Sequence, residues 1–281
     1  MGAITAADVG TVLATLAVGV LAGMLSALLG IGGAVVTTPA VRVLGATPIQ
    51  AVGSTVPAIL PGAISGAWRY SRAGLVDWPL ALGLGISGAV FALVGAWTSS
   101  LVDGRLLMVL TAVLMVWSGI TVFLGADRQK VVDAAEQERR QVLDGTPTTA
   151  DPGADRAGSR WLVGVVGAGS GFVAGLLGVG GGIVMVPAMA GPLGIPMKRA
   201  VASSLVAVAI FSIPALVAHV ALGHVNWTYA LPLMLGVVPG AQLGARMTIG
   251  ASERTIRRLF GALVVVLAIV YGGTELTALL S

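Results

Sequence analysis

The chain has 281 residues, of which 56% are hydrophobic and 10% charged, and its mean hydropathy is +0.96. So few polar groups cannot coat a soluble globule, and the composition predicts an integral membrane protein whose first partner is the lipid bilayer. No cysteine is present, which excludes disulfides, thiolate metal sites and thiol chemistry; the net charge of +4 reflects loop lysines and arginines and does not indicate nucleic-acid binding.

Crossing a bilayer takes about 20 apolar residues in a helix. Apolar segments run over 9–29, 33–45, 50–68, 77–98 and 105–124. The first has no charged leader or cleavage site ahead of it and reads as a retained span. From Ala126 to Arg160 the pattern breaks, with six of the 16 basic and seven of the 12 acidic residues. This is expected to be a solvated linker, its first half a charged amphipathic helix and its Pro-, Gly- and Thr-rich second half flexible coil. Five more apolar segments follow, at 161–177, 182–193, 200–218, 227–248 and 257–276. The expected organisation is a membrane repeat over 1–125, a linker over 126–160 and a second membrane repeat over 161–281.

The two repeats share one design. At an offset of 148, "GIGGAVVTTP" at 30–39 falls on "GVGGGIVMVP" at 178–187; at 149, "AVGST" at 51–55 falls on "AVASS" at 200–204, and "RAGLVDW" at 72–78 on "ALGHVNW" at 221–227. Internal duplication is a common build of secondary transporters. The second segment of each set is short for a span and reads as half of a re-entrant hairpin or as a broken helix. Two full crossings or one re-entrant hairpin both return the chain to the side it left, and with three ordinary helices to follow each repeat makes an odd number of net crossings, which inverts the second copy. Loop charge agrees. One face receives Arg69, Arg72, Lys198, Arg199, Arg246, Arg254, Arg257, Arg258 and the linker, the other Arg42 and Arg105. The expected fold is thus an all-α membrane protein of about eight to ten segments in an inverted repeat, with a cytoplasmic linker and external termini in the cell membrane.

Gly30, Gly32 and Gly33, with Gly178, Gly180, Gly181 and Gly182, let the backbone leave helical geometry inside the membrane, which is tolerated where freed amides meet protein, water or a ligand. Each short helix after the break would point its N-terminal amides and positive dipole end into the gap, which suits an anion, and Pro39 and Pro187 end or kink that helix. The competing reading is that these glycines only permit close helix packing. Thr37 and Thr38 make the first break the more polar, since Met185 and Val186 stand at the equivalent places. Ser54 and Thr55, with Ser203 and Ser204, are further candidate donors to an oxyanion, unless they bond their own helix carbonyls. Gln242, beside Gly240 and Gly244, is a polar contact or a tie between two helices.

These paired glycine motifs, each opening a half and separated by a charged linker, resemble the sulfite exporter TauE/SafE family of membrane permeases over nearly the whole chain. The resemblance implies transport, usually outward, of small sulfur-containing anions such as sulfite or sulfonates, without a cofactor or metal. No acidic residue lies deep in an apolar segment to serve as a proton relay; His219 and His224 bracket a short loop and could titrate near neutral pH. A passive anion channel is the main alternative function. A membrane enzyme is a weaker one: "PGAIS" at 61–65 faintly resembles a phosphatase loop, but no Glu cluster or Arg accompanies it to bind metal or phosphate. A scaffold is a third, and assembly as a homo-oligomer is compatible with all of these.

Overall fold

The computed structural model describes residues 6–121 and 154–266, apart from 104, 105, 108, 115, 119, 192 and 264. The described residues form helices joined by short turns, with no strand among them. The first half holds α1 (Ala6–Leu29), α2 (Ala34–Val43), α3 (Pro48–Arg72) and α4 (Trp78–Ser99), then α5, helical at every described position from 106 to 121. The second half holds α6 (Ala154–Leu177), α7 (Gly182–Ala190), α8 (Met197–Ala221) and α9 (Trp227–Gly250), then α10, helical at every described position from 253 to 266. Among the described residues three stretches, Gly10–Leu29, Trp78–Ser99 and Met197–Ala221, are long and apolar enough to cross a membrane.

Positions 126–153 of the expected linker lie outside the described residues. Its last seven, 154–160, are helical, where flexible coil was expected: α6 begins at Ala154.

Local chemistry explains where the helices start. Thr47 and Gln50 form a reciprocal capping box with Pro48 next to it, which satisfies amides that a helix start otherwise leaves open. Asp77 caps α4 through Leu80 N–H at 3.3 Å. Its repeat mate Asn226 caps α9 through Thr228 N–H at 3.0 Å.

Packing relies on glycine, as expected where lipid offers no hydrophobic drive between helices and close approach must hold them. Gly19 and Gly23 of α1 sit against Leu233 and Val237 of α9, and Gly244 against Met24. In the same way, Gly88 of α4 meets Gly167 and Gly171 of α6, and Gly95 meets Phe172 and Leu176. Sequence numbers rise together in both pairs, so α1 runs parallel to α9 and α4 to α6. The contacts Gly53–His224 and Gly66–Leu205 run in opposite senses, so α3 is antiparallel to α8. Ser65 with Val238 and Arg69 with Gln242 make α3 parallel to α9. Hence α1, α3 and α9 share one direction, and α4, α6 and α8 the other.

The basic residues follow these directions. Arg69 accompanies Gln242 near the end of α9. Lys198 donates to Ile249 O at 3.1 Å through Nζ and to Glu253 through its backbone amide. Arg69, Lys198 and the start of α10 therefore occupy one end of the molecule. Arg42, which donates to Ala46 O, lies by the opposite end, where Tyr229 donates to Leu44 O at 3.0 Å.

Candidate functional site

Between α1 and α2 the chain leaves helical geometry with φ of +73° at Gly30, +93° at Gly32 and +78° at Gly33; between α6 and α7 the values are +65°, +85° and +65° at Gly178, Gly180 and Gly181. The two turns meet. A Cβ built on Gly32 would lie 3.0 Å from Gly180 Cα, and one on Gly180 would lie 3.0 Å from Gly32 Cα and 3.2 Å from Ile31 O. Only glycine supplies both the positive φ and the room. Gly182 abuts the carbonyl of Gly30, and a Cβ on Gly178 would lie 2.7 Å from Val52 Cγ1.

The amides past each turn follow one pattern. Ala34, Val36 and Thr37 N–H donate to Gly32 O, Gly33 O and Gly33 O; Gly182, Val184 and Met185 N–H donate to Gly180 O, Gly181 O and Gly181 O. Both short helices thus begin at the shared junction with their positive dipole ends there. Thr38 bonds Thr55 across to α3 at 3.3 Å, which runs α2 back along α3 toward the end where α1 began. Pro39 and Pro187 lie inside α2 and α7 and do not end them.

A cavity of about 10 Å³ opens beside the first turn, lined by Gly32, Gly33, Thr37, Thr55, Ser26 and Gly62 among others. That is room for about one water. In the second half Met185 and Phe211, both fully buried, stand at the positions equivalent to Thr37 and Gly62 and fill the corresponding space. The first half is the more polar, in line with its two threonines.

The remaining candidates separate. Ser54 and Ser203 are buried, but their oxygens are used reciprocally: Ser54 Oγ accepts from Asn226 N–H at 2.8 Å and Ser203 Oγ from Asp77 N–H at 2.9 Å. Each pins the cap of a helix in the opposite half. Ser204 donates toward Val201 O at 2.9 Å and Gly30 O at 3.0 Å, so it supports the first turn directly; Thr55 donates to Val52 O at 2.9 Å. Gln242 is outside the cavity lining. Its Nε2 donates to Ser65 O and Oγ, both at 2.9 Å, which makes it a tie between α9 and α3.

Two hydroxyls were missed by the sequence reading. Ser26, four residues before Gly30, lines the cavity; its mate is Ala174, so the repeat gave no signal. Ser170 is fully buried, and its Oγ has no hydrogen-bond partner among the described residues. A Cβ on Gly181 would lie 2.5 Å from the Ser170 carbonyl, which puts this residue beside the second turn. An unpaired buried hydroxyl is costly and marks a place where a ligand or water would be accommodated. No group of three or more metal-ligating side chains occurs among the described residues.

The family model described as sulfite exporter TauE/SafE matches residues 15–271, across both glycine turns. The chain belongs to the sulfite exporter TauE/SafE family. It is 29% identical over 249 residues to the probable membrane transporter protein YunE of Bacillus subtilis (strain 168), covering 85% of this chain and 89% of that protein. It is 28% identical over 263 residues to a probable membrane transporter protein of Xylella fastidiosa (strain Temecula1), covering 92% and 94%. No solved structure matches it. As a TauE/SafE protein the chain is a membrane transporter, and the glycine junction is the place in it where helix starts, hydroxyls and a cavity coincide.

Proposed function

We propose that this TauE/SafE protein is an alternating-access permease for small sulfur-containing oxyanions such as sulfite or sulfonates, moved outward, with its substrate site at the junction of the two glycine turns. The observation that carries this reading is the contact of Gly32 with Gly180, which brings the positive ends of α2 and α7 to one point beside Ser26, Thr37 and Thr55. Oxyanions favour such helix starts and hydroxyl donors. The cavity holds about one water, so a polyatomic anion requires the turns to part, which is the behaviour of a gated carrier.

The opposed directions of α1, α3 and α9 against α4, α6 and α8 support an inverted repeat, because α1 and α6 are repeat mates, as are α4 and α9. In this reading α1 with α2, and α6 with α7, are re-entrant hairpins entering from opposite faces. The basic end, to which the N-terminus of α6 and hence the linker attaches, is then cytoplasmic, and both termini are external in the cell membrane.

Flux into proteoliposomes with sulfite, a sulfonate, sulfate and phosphate tests the proposal. Saturable flux of the sulfur oxyanions, competed by one another, is expected. Non-saturating conductance would make it a channel, and flux of phosphate alone would overturn the substrate class.

A further inference from the structure

On α3 the cavity-lining residues Thr55, Ala58, Ile59 and Gly62 are followed by Ser65 and Arg69, at the spacings of three and four that keep residues on one face of a helix. α9 lies against that face in matching order. Val237 lines the cavity together with Gly62. Ser65 donates to Val238 O at 3.1 Å and accepts from Gln242 Nε2 at 2.9 Å, and Arg69 Nη1 reaches Gln242 Oε1 at 3.5 Å. Polar side chains thus continue from the cavity to the basic end of the molecule.

Arg69 ends this line, and its guanidinium is under-used. A long basic side chain near a helix end ordinarily carries its charge out to the membrane interface, as Arg72 does: it is exposed and lies over the Trp68 ring at 4.2 Å. Arg69 turns toward α9 instead and is half-buried. Its contact with Gln242, at 3.5 Å, is long for a hydrogen bond, and its Nε is buried with no hydrogen-bond partner among the described residues. A buried donor without an acceptor is costly, and because this one belongs to a cation, an anion is the acceptor that suits it. Nε and Nη2 form one edge of the guanidinium, the edge that takes two oxygens of an oxyanion at once, while Nη1 stays on Gln242.

We propose that Arg69 is an anion-binding residue at the basic-end mouth of the substrate route, taking the sulfur oxyanion by that edge as the α3–α9 seam opens and before the anion reaches the cavity. The inference rests on the permease reading. The equivalent seam at the opposite end, between α8 and α4, has no such group: at the offset of 149, Pro214, Ala218 and Leu93 stand where Ser65, Arg69 and Gln242 do. The oxyanion is therefore held on its way at one end only, the end from which outward transport loads.

Detergent-solubilised protein is melted across titrations of sulfite and of methanesulfonate at constant ionic strength, since a ligand raises the melting temperature only of a fold that binds it. Two variants remove the charge: Arg69→Met, which keeps most of the apolar stem, and Arg69→Gln. Without anion both are expected to melt within about 2 °C of wild type, because the Nε–H they lose satisfied no acceptor. The half-stabilising sulfite concentration is expected to rise about tenfold in both, the loss of one charge-assisted pair, and the half-saturating concentration for flux into proteoliposomes to rise with it. Variants that melt far below wild type without anion would make Arg69 a part of the fold, and variants that keep the wild-type half-stabilising concentration would show that the anion does not use it; either result overturns the proposal. Saturable sulfite flux with wild-type half-saturation in Arg69→Met sinks this subsite alone, whereas a wild type that neither binds nor carries sulfite sinks the permease reading with it.

Discussion

Removing the Ser54 hydroxyl should reveal whether it serves the fold or the substrate. Ser54→Ala leaves Asn226 N–H without its 2.8 Å acceptor, and Ser203→Ala does the same to Asp77 N–H at 2.9 Å. Both serines are fully buried, and an amide left unsatisfied in such a place costs about 1–3 kcal/mol. At roughly 2–4 °C per kcal/mol for a chain of this size, each single variant should melt about 2–12 °C below wild type in detergent. The two bonds share no atoms and lie at opposite ends of the molecule, so the double variant should lose about the sum. Melting followed by tryptophan fluorescence, with and without sulfite, is the assay. Both singles melting within about 1 °C of wild type would refute the clamp, and a loss of sulfite stabilisation at unchanged melting would make the serines ligands instead.

Other substitutions probe the remaining ties. Tyr70→Phe keeps the ring but strips Ala27 O of its 2.6 Å donor, so unfolding should cost about 1–3 kcal/mol less, read as a lowered melting temperature. Gly32→Ala and Gly180→Ala each force a side chain into positive φ and against the facing backbone; each should destabilise by more than about 1 kcal/mol, and the double by less than the sum because both strain one contact. Gln242→Ala removes the acceptor of Arg69 and the bonds to Ser65; it should lower the melting temperature while leaving the half-saturating sulfite concentration in proteoliposomes within about twofold.

Much of this architecture is legible in the sequence because apolar runs and glycine breaks are local signals. The runs at 50–68, 77–98 and 227–248 correspond to α3, α4 and α9, whose starts are set by the caps Thr47, Asp77 and Asn226 and whose C-terminal ends lie a few residues past the runs. The register of the two glycine clusters was legible too, since a repeat needs no knowledge of contacts. The use of each hydroxyl was not. Ser54 and Asn226 are 172 residues apart, and nothing in either neighbourhood says that they meet. In helices apolar on every face, periodicity does not tell which side meets protein, so Ser26 at the cavity and Gln242 outside it look alike in sequence. The equivalence of Tyr70, which donates to Ala27 O, with its repeat mate His219, whose Nε2 lies 3.0 Å from Gly175 O, was hidden for another reason: the two side chains share only the ability to donate to a carbonyl.

The pairing of α1 with α9 has a consequence for how the protein is made. Gly19 and Gly23 form a seam that stays without its partner until Trp227–Gly250 has left the ribosome, while the seam between α4 and α6 closes much sooner. Until α9 arrives, α1 is held only within its own half, by the Tyr70 bond to Ala27 O and the approach of Gly66 to Ala27, with its glycine face bare. Synthesis of either half alone would leave both seams open to lipid or to a stray copy, since each joins one half to the other; a ribosome stalled before α9 would release a chain whose Gly19–Gly23 face has no partner.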